Sequence, residues 1–170
     1  MSGEYCVDAN IFITSWYKDY PPRILSPLWD QIAKHKDDII IIKPVFNQIE
    51  PISSADRKLP IPFKREKYPL RIWLEDNGFA FKKVNDEINS ISLLLEKEYE
   101  TSNNSKGADQ IDILLIAYAK HNGKTVVTFE AEQPQLPGKK YNYKIPLICR
   151  EQGVNCINFL EMLDLLNIHI

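Results

Sequence analysis

Four consecutive isoleucines, Ile39 to Ile42, constrain this chain more than any other stretch of it. β-branched side chains favour extended backbone, and a run with no polar position has no face to turn to water. It reads as a strand covered on both sides, the kind found in a parallel sheet between two layers of helix. Tyr5 to Asp8 and Lys124 to Thr128 have the same character, and Val154 to Ile157 supplies a fourth strand. Helical patterns fill the intervals. Ile11 to Trp16 begins one, and Ser26-Pro27 opens another that carries Leu28, Trp29, Ile32 and Ala33 to about Lys36. Pro44 opens a helix that contains Glu50, and Tyr68 to Glu75 forms one that stops at Asn77-Gly78. Asp86 caps a helix through Glu98 with Ile88, Ile91, Leu94 and Leu95 on one face, broken at Asn103 to Gly107. Ala108 to His121 is the most apolar helix, and Pro146 to Gln152 and Phe159 to Leu166 complete the set. Residues 51–69 read as a surface excursion with little regular structure, and 130–144 as a basic loop. The expected fold is one α/β domain over residues 1–170, a three-layer α/β/α sandwich with a mostly parallel central sheet.

The 44% hydrophobic content of 170 residues is enough for a core of that size. The longest aliphatic run is far short of a membrane span, and the start Met-Ser-Gly-Glu-Tyr lacks a signal-peptide pattern, so a cytoplasmic protein is expected. Cys6, Cys149 and Cys156, an odd number at no metal-binding spacing, are expected to be buried free thiols. With 21 basic and 23 acidic residues, the net charge of −2 argues against a protein that coats nucleic acid nonspecifically. It leaves room for an enzyme with a local basic groove beside an acidic site. No glycine-rich loop follows the first strand, which excludes a dinucleotide site.

The acids at the element ends carry the chemistry. Asp8 ends the first strand and is followed by Ala9 and Asn10, where the alternatives are a metal ligand and a local cap or turn. Asp109 and Asp112 share a face at the start of the apolar helix, where the helix dipole favours their ionised form. Asp109 is read equally as a helix cap. Asp112 stands against Leu114, Leu115 and Ile116, where an unpaired carboxylate is costly, and a metal is one reason to keep it. Glu130 and Glu132 leave the end of the strand Lys124 to Thr128, and Thr128 can hydrogen-bond a carboxylate across the site. His35, His121 and His169 show no acidic or nucleophilic partner at short spacing.

Val-Asp-Ala-Asn at the first strand, Asp112 followed by Ala117 and Ala119, and Val-Val-Thr-Phe-Glu resemble the hallmark segments of PIN-domain nucleases. Asp-Ala-Asn-Ile-Phe-Ile, Tyr20-Pro21, Trp29-Asp30, Leu-Ile-Ala-Tyr-Ala and Ile145-Pro146 with Cys149 resemble a bacterial, toxin-type (VapC-like) branch. The resemblance covers the chain apart from residues 51–66. It implies that Asp8, Glu50, Asp112 and Glu130 are the four catalytic, metal-binding acids, with Asn10, Thr128 and Asp109 in support. Glu130 stands where the superfamily usually has aspartate, so the ligand is one methylene longer, and Glu132 is an alternative. Mg²⁺ or Mn²⁺ suits such a carboxylate set.

The implied activity is hydrolysis of RNA phosphodiesters leaving a 5′-phosphate and a 3′-hydroxyl. The implied partners are a cognate antitoxin protein and a second copy of the chain. Lys64, Arg65 and Lys67, and Lys139, Lys140 and Lys144, lie in basic segments with interleaved aromatics and are candidates for binding RNA, or are simply solvated surface. Two competing readings are a PIN fold without catalysis, acting as a binding module, and a haloacid-dehalogenase-like phosphohydrolase. The latter requires a second aspartate at the position held by Asn10.

Overall fold

Ile39–Ile42 forms a strand, β2, with all four side chains buried. The computed structural model of the protein describes residues 3–103 and 106–170. Met1 and Ser2, and Asn104 and Ser105 within the expected break after Glu98, lie outside them. Five strands form one sheet in the order β3-β2-β1-β4-β5: β1 (Tyr5–Val7), β2, β3 (Phe81–Lys82), β4 (Thr125–Val127) and β5 (Cys156–Ile157). Every pairing is parallel. Helices flank the sheet, so the expected three-layer α/β sandwich is the observed one. β3 is an addition: it is two exposed residues long, too short for hydrophobic alternation to reveal.

The helices are α1 (Ala9–Thr14), α2 (Pro22–Lys34), α3 (Lys43–Phe46), α4 (Ser54–Arg57), α5 (Ile61–Lys67), α6 (Pro69–Asp76), α7 (Asp86–Glu98), α8 (Gln110–Asn122), α9 (Ile145–Gln152) and α10 (Phe159–Leu165). α1 continues into a wider turn over Ser15–Asp19. α2 starts earlier than Ser26-Pro27 suggests, with Pro22 in its first turn. It is kinked at Leu25 (φ −119°, ψ 43°), and Pro27 begins the regular half after that kink. α7 is capped by Asn85 rather than Asp86, the Asn85 side chain accepting from the Ile88 amide at 2.9 Å. Its buried face runs through Ile88, Ser92 and Leu95, which leaves Leu94 69% exposed, off the stripe that a 3.6-residue period allows.

Two further expectations fail for one reason, proline chemistry. Residues 51–69 are not irregular. Ser53 caps α4 through the Asp56 amide at 3.1 Å, and Pro60 and Pro62 bracket the start of α5, where a missing amide costs nothing. The helix opened by Pro44 stops at Phe46, and Glu50 lies beyond it at φ 42°. Pro51 disfavours the α conformation at Glu50, so α3 has no way to continue through it.

An aromatic cluster joins the turn after α1 to α2, α6 and the segment that follows α6: Trp16 lies 4.9 Å from Trp29, Trp29 5.2 Å from Trp73, and Trp73 5.5 Å from Phe79, ring centre to ring centre. Cys6 and Cys149 are buried free thiols as expected, while Cys156 is partly exposed. No helix among the described residues is long and apolar enough to cross a membrane.

Candidate metal centre

Val7 of β1 stands opposite Val127 of β4, so the residues that follow the two strands emerge side by side. The chain passes from β1 to β2 on one flank, whereas β4 lies on the other. Open parallel sheets bind ligands beyond the strand ends where the order reverses in this way, because the diverging connections leave a crevice there. Asp8 follows β1 at this crevice, and Thr128 and Glu130 follow β4. Asp112 arrives from the opposite direction. α8 leads into β4 and returns along it, which brings its first turn to the same edge.

One carboxylate oxygen from each of Asp8, Asp112 and Glu130 lies within 4.8 Å of the other two. All three side chains are partly buried, and each is held by its local backbone. Asp8 caps α1, accepting from the Asn10 amide at 3.3 Å. Thr128, 2% exposed, donates its hydroxyl to Asp8 at 3.4 Å and accepts the Glu130 amide at 3.1 Å, linking the two strand ends. Asp109 and Asp112 form a capping box: Asp109 Oδ1 accepts the Asp112 amide at 2.9 Å and Asp112 Oδ2 accepts the Asp109 amide at 3.0 Å. Asp112 is therefore both the reciprocal partner of a helix cap and a member of the acidic group. The Ile145 backbone at the start of α9 lies near enough to Glu130 to favour its ionised form.

Crowding three acids in a half-buried crevice raises their pKa values. Burial, then the charges of Asp109, Asp8 and Glu130, push Asp112 up to about 8. Burial is the first cause for Asp8 and Glu130 as well, followed for Glu130 by the Asp8 charge; the Lys144 ammonium pulls Glu130 the other way. Three carboxylates from three elements, each reluctant to ionise beside the others, make a donor set that a hard divalent cation fits. Such an ion takes carboxylate and water oxygens and cancels their repulsion. Among the described residues no other trio of histidine, cysteine or acidic side chains comes this close.

Glu50 is not in this group. Its carboxylate accepts the Tyr17 hydroxyl and, at 3.1 and 3.4 Å, the Leu70 and Arg71 amides, so it caps α6 from a distance. Arg71, itself buried, ties the same turn down by donating to the Phe46 and Ile49 carbonyls at 2.6 and 2.8 Å. Sequence reasoning did not foresee this partnership. The one local signal is Pro51, which marks Glu50 as a turn residue.

The two basic segments differ. Around α5 the cations are largely engaged: Arg57 with Glu75 at 2.7 Å, Arg65 with Asp76 at 3.2 Å and Lys67 with Asp56 at 2.7 Å, while Lys64 donates to the Arg57 carbonyl. In the other segment Lys140 lies 3.5 Å from Glu98 and Lys139 is exposed, but Lys144 sits close enough to Glu130 to affect its ionisation. Gln133, which sequence reasoning passed over, pins this loop by accepting the Lys144 amide at 2.8 Å and donating to the Asn142 carbonyl at 3.1 Å. His35 has an acidic partner after all, Asp38 three residues on at 2.9 Å, brought round by the turn after α2 and separate from the trio.

Gly107 couples that loop to α8. A Cβ at this position would lie 2.3 Å from the Tyr141 carbonyl oxygen and 2.7 Å from that of Tyr143, and Tyr143 also accepts the Ala108 amide at 2.9 Å. Backbone atoms have little room to give, so Gly107→Ala is expected to destabilise the protein by about 1–3 kcal/mol. It should also weaken the melting-temperature response to Mn²⁺, because the start of α8 that carries Asp112 is displaced. An unchanged response would mean that the loop and the acids are independent.

No curated protein sequence is significantly similar to the chain. Its structure is similar to that of PAE2754 from Pyrobaculum aerophilum, at 17% identity over 90% of this chain and 98% of that one, with a TM-score of 0.44. It is also similar to that of FitAcB from Neisseria gonorrhoeae, at 11% identity over 92% of this chain and 98% of that one, with a TM-score of 0.50. The second likeness spans nearly the whole of both chains and is one of fold; the architecture is the three-layer α/β/α sandwich expected from the sequence. Over residues 5–170, which include all three clustered acids, the chain matches the family described as Domain of unknown function (DUF4411), and it belongs to that family.

Proposed function

We propose that the protein is a metal-dependent endoribonuclease that holds Mg²⁺ or Mn²⁺ between Asp8, Asp112 and Glu130. The observation that carries this reading is the meeting of those carboxylates within 4.8 Å at the switch point of the sheet. No salt bridge to any of the three is present among the described residues. An ion of this class supplies a polarised phosphate oxygen and an acidified water, which meets the needs of phosphodiester hydrolysis without a histidine base.

The chain's own residues would act around it. Thr128 holds Asp8 and the Glu130 backbone in one orientation, and the Asp109 cap keeps Asp112 in the first turn of α8. Asp112 must release its proton for the site to load. Lys144, beside Glu130, offers a cation to a neighbouring phosphate, which makes it the best supported of the six basic residues singled out from the sequence. Lys64, Arg65, Lys67, Lys139 and Lys140 remain candidates for the flanking strand. Glu50 would join the metal only by giving up the Tyr17 hydroxyl and the α6 amides. A cognate antitoxin, a homodimer and a preference for RNA over DNA belong to the same proposal and rest on the resemblance to toxin-type PIN nucleases.

Purified protein is expected to cut total RNA in Mn²⁺ or Mg²⁺ and to leave 5′-phosphate ends, and EDTA is expected to stop it. Cleavage that survives chelation would remove the metal mechanism. Metal-dependent stabilisation without any cleavage would favour the second reading, a PIN fold used for binding alone, which the same acidic trio supports equally as a metal site.

A further inference from the structure

Beyond the ends of β4 and β5, a cavity of about 290 Å³ opens beside the acidic trio, bordered by Phe129, Glu130, Glu132, Asn158 and Glu161. It lies just below the roughly 300–1,000 Å³ of drug-sized ligand sites, which suits a single planar ring system. Phe129 is 37% exposed, and its ring rests on Phe159 at 5.6 Å. Held from one side, it keeps a surface free for stacking. Asn158 caps α10 by accepting the Glu161 amide at 2.8 Å, which assigns its oxygen inward and leaves its NH₂ as a donor. Glu132 and Glu161 are exposed and form no salt bridge among the described residues.

We propose that this cavity receives a guanine base of the RNA strand, stacked on Phe129, with its N1–H and N2–H₂ donors on the Glu161 carboxylate and its O6 on the Asn158 amide. The inference rests on the ribonuclease reading, in that the base is taken to belong to the strand whose phosphate meets the acids. A carboxylate only accepts hydrogen bonds, so it selects a base edge with adjacent donors. Guanine alone presents two beside an acceptor. Adenine and cytosine each place one amino group next to an unprotonated ring nitrogen that the carboxylate would repel. Uracil flanks its single N–H with two carbonyl oxygens. Glu161 suits the role better than Glu132 because it is carried by a helix rather than by a loop. A second metal ion is disfavoured as the occupant, since Glu132 and Glu161 gather no third ligand atom as the trio does.

The test is binding of GMP, IMP, AMP, CMP and UMP to the wild-type chain in Mg²⁺, followed by NMR chemical-shift titration. GMP is expected to bind about tenfold or more tightly than AMP, CMP or UMP, the discrimination typical of a bidentate base contact. IMP, which lacks only the 2-amino group, should fall between them. Glu161→Gln is expected to bring GMP to the level of AMP, and Phe129→Leu to weaken all five nucleotides together. Equal binding of all five, no binding, or a guanine preference that survives Glu161→Gln would each overturn the proposal. Asn158→Ala, checked for helix loss by circular dichroism, serves as the second variant and should cost GMP more than CMP. RNA cleavage with no base preference at the cut would remove the pocket and leave the nuclease. GMP selectivity in a protein that cuts no RNA would do the reverse.

Discussion

Asp112→Asn is expected to raise the stability of the metal-free protein while abolishing its RNA cleavage. The amide keeps an oxygen that can accept the Asp109 amide, so the capping box at the start of α8 survives. What disappears is a carboxyl that must either keep its proton or carry a charge that burial and three neighbouring carboxylates oppose. At pH 7 the gain should be about 2 kcal/mol, or roughly 4–8 °C in melting temperature for a chain of this size. Metal stabilises only the state that binds it, so wild type should gain melting temperature as Mn²⁺ is added and the mutant should gain far less. Cleavage should fall about 100-fold or more, since even a group that merely hydrogen-bonds a metal ligand is worth roughly 10- to 100-fold. Asp109→Ala is the contrast: loss of the cap should cost about 1 kcal/mol and leave most of the metal response. Melting curves against metal concentration, run beside a cleavage assay, separate these outcomes. An Asp112→Asn protein that responds to Mn²⁺ like wild type and still cuts RNA would remove Asp112 from the site.

The second large effect is a dependence on pH whose sign is opposite for stability and for metal binding. Asp112 is pushed up to about 8, and Asp8 and Glu130 are raised in the same direction. Between the ordinary carboxylate range near pH 4 and about pH 8 the folded protein therefore keeps protons that the unfolded chain has already released. Folding stability should be highest below that window, fall through it by up to about 1.4 kcal/mol per pH unit for each proton retained, and level off above it. Calorimetry in EDTA at pH 5 and pH 8 measures this directly. Metal binding displaces the same protons, so affinity should rise about tenfold per pH unit for each proton displaced, up to about pH 8. A metal-free protein that becomes more stable from pH 5 to pH 8 would show that the acids are not crowded in solution.

Much of the site was legible before the fold was known, because its residues stand at points of physical contrast. Asp8 and Glu130 follow runs of buried strand, and Asp112 opens a helix of Ile, Leu and Ala; a carboxylate in such company needs donors or a cation, and beyond the Asn10 and Asp109 amides and the Thr128 hydroxyl the three acids offer one another only repulsion. Asp109 was open between cap and ligand, and its exposed position and the Asp112 amide bond make it the cap. Glu50 carried no such contrast. Its partners, Tyr17, Leu70 and Arg71, are 33, 20 and 21 residues away, and no local pattern reports them. The basic residues around α5 read equally as a strip for nucleic acid and as solvated surface, because sequence counts charges but not their pairing. Arg57, Arg65 and Lys67 spend theirs on Glu75, Asp76 and Asp56.

By itself the sequence determined the layered α/β architecture and the positions of its four main strands along the chain. Those follow from hydrophobic period and from proline and cap chemistry, which act over a few residues at a time. Which acids meet was decided only by the tertiary structure. The register that sets Val7 against Val127, and the return of α8 along β4, bring Asp8, Asp112 and Glu130 to one crevice, while Glu50 is drawn to the open amides of α6. Convergence of this kind depends on packing between segments about a hundred residues apart, where a carboxylate goes to whichever unsatisfied donors or charges the fold presents to it.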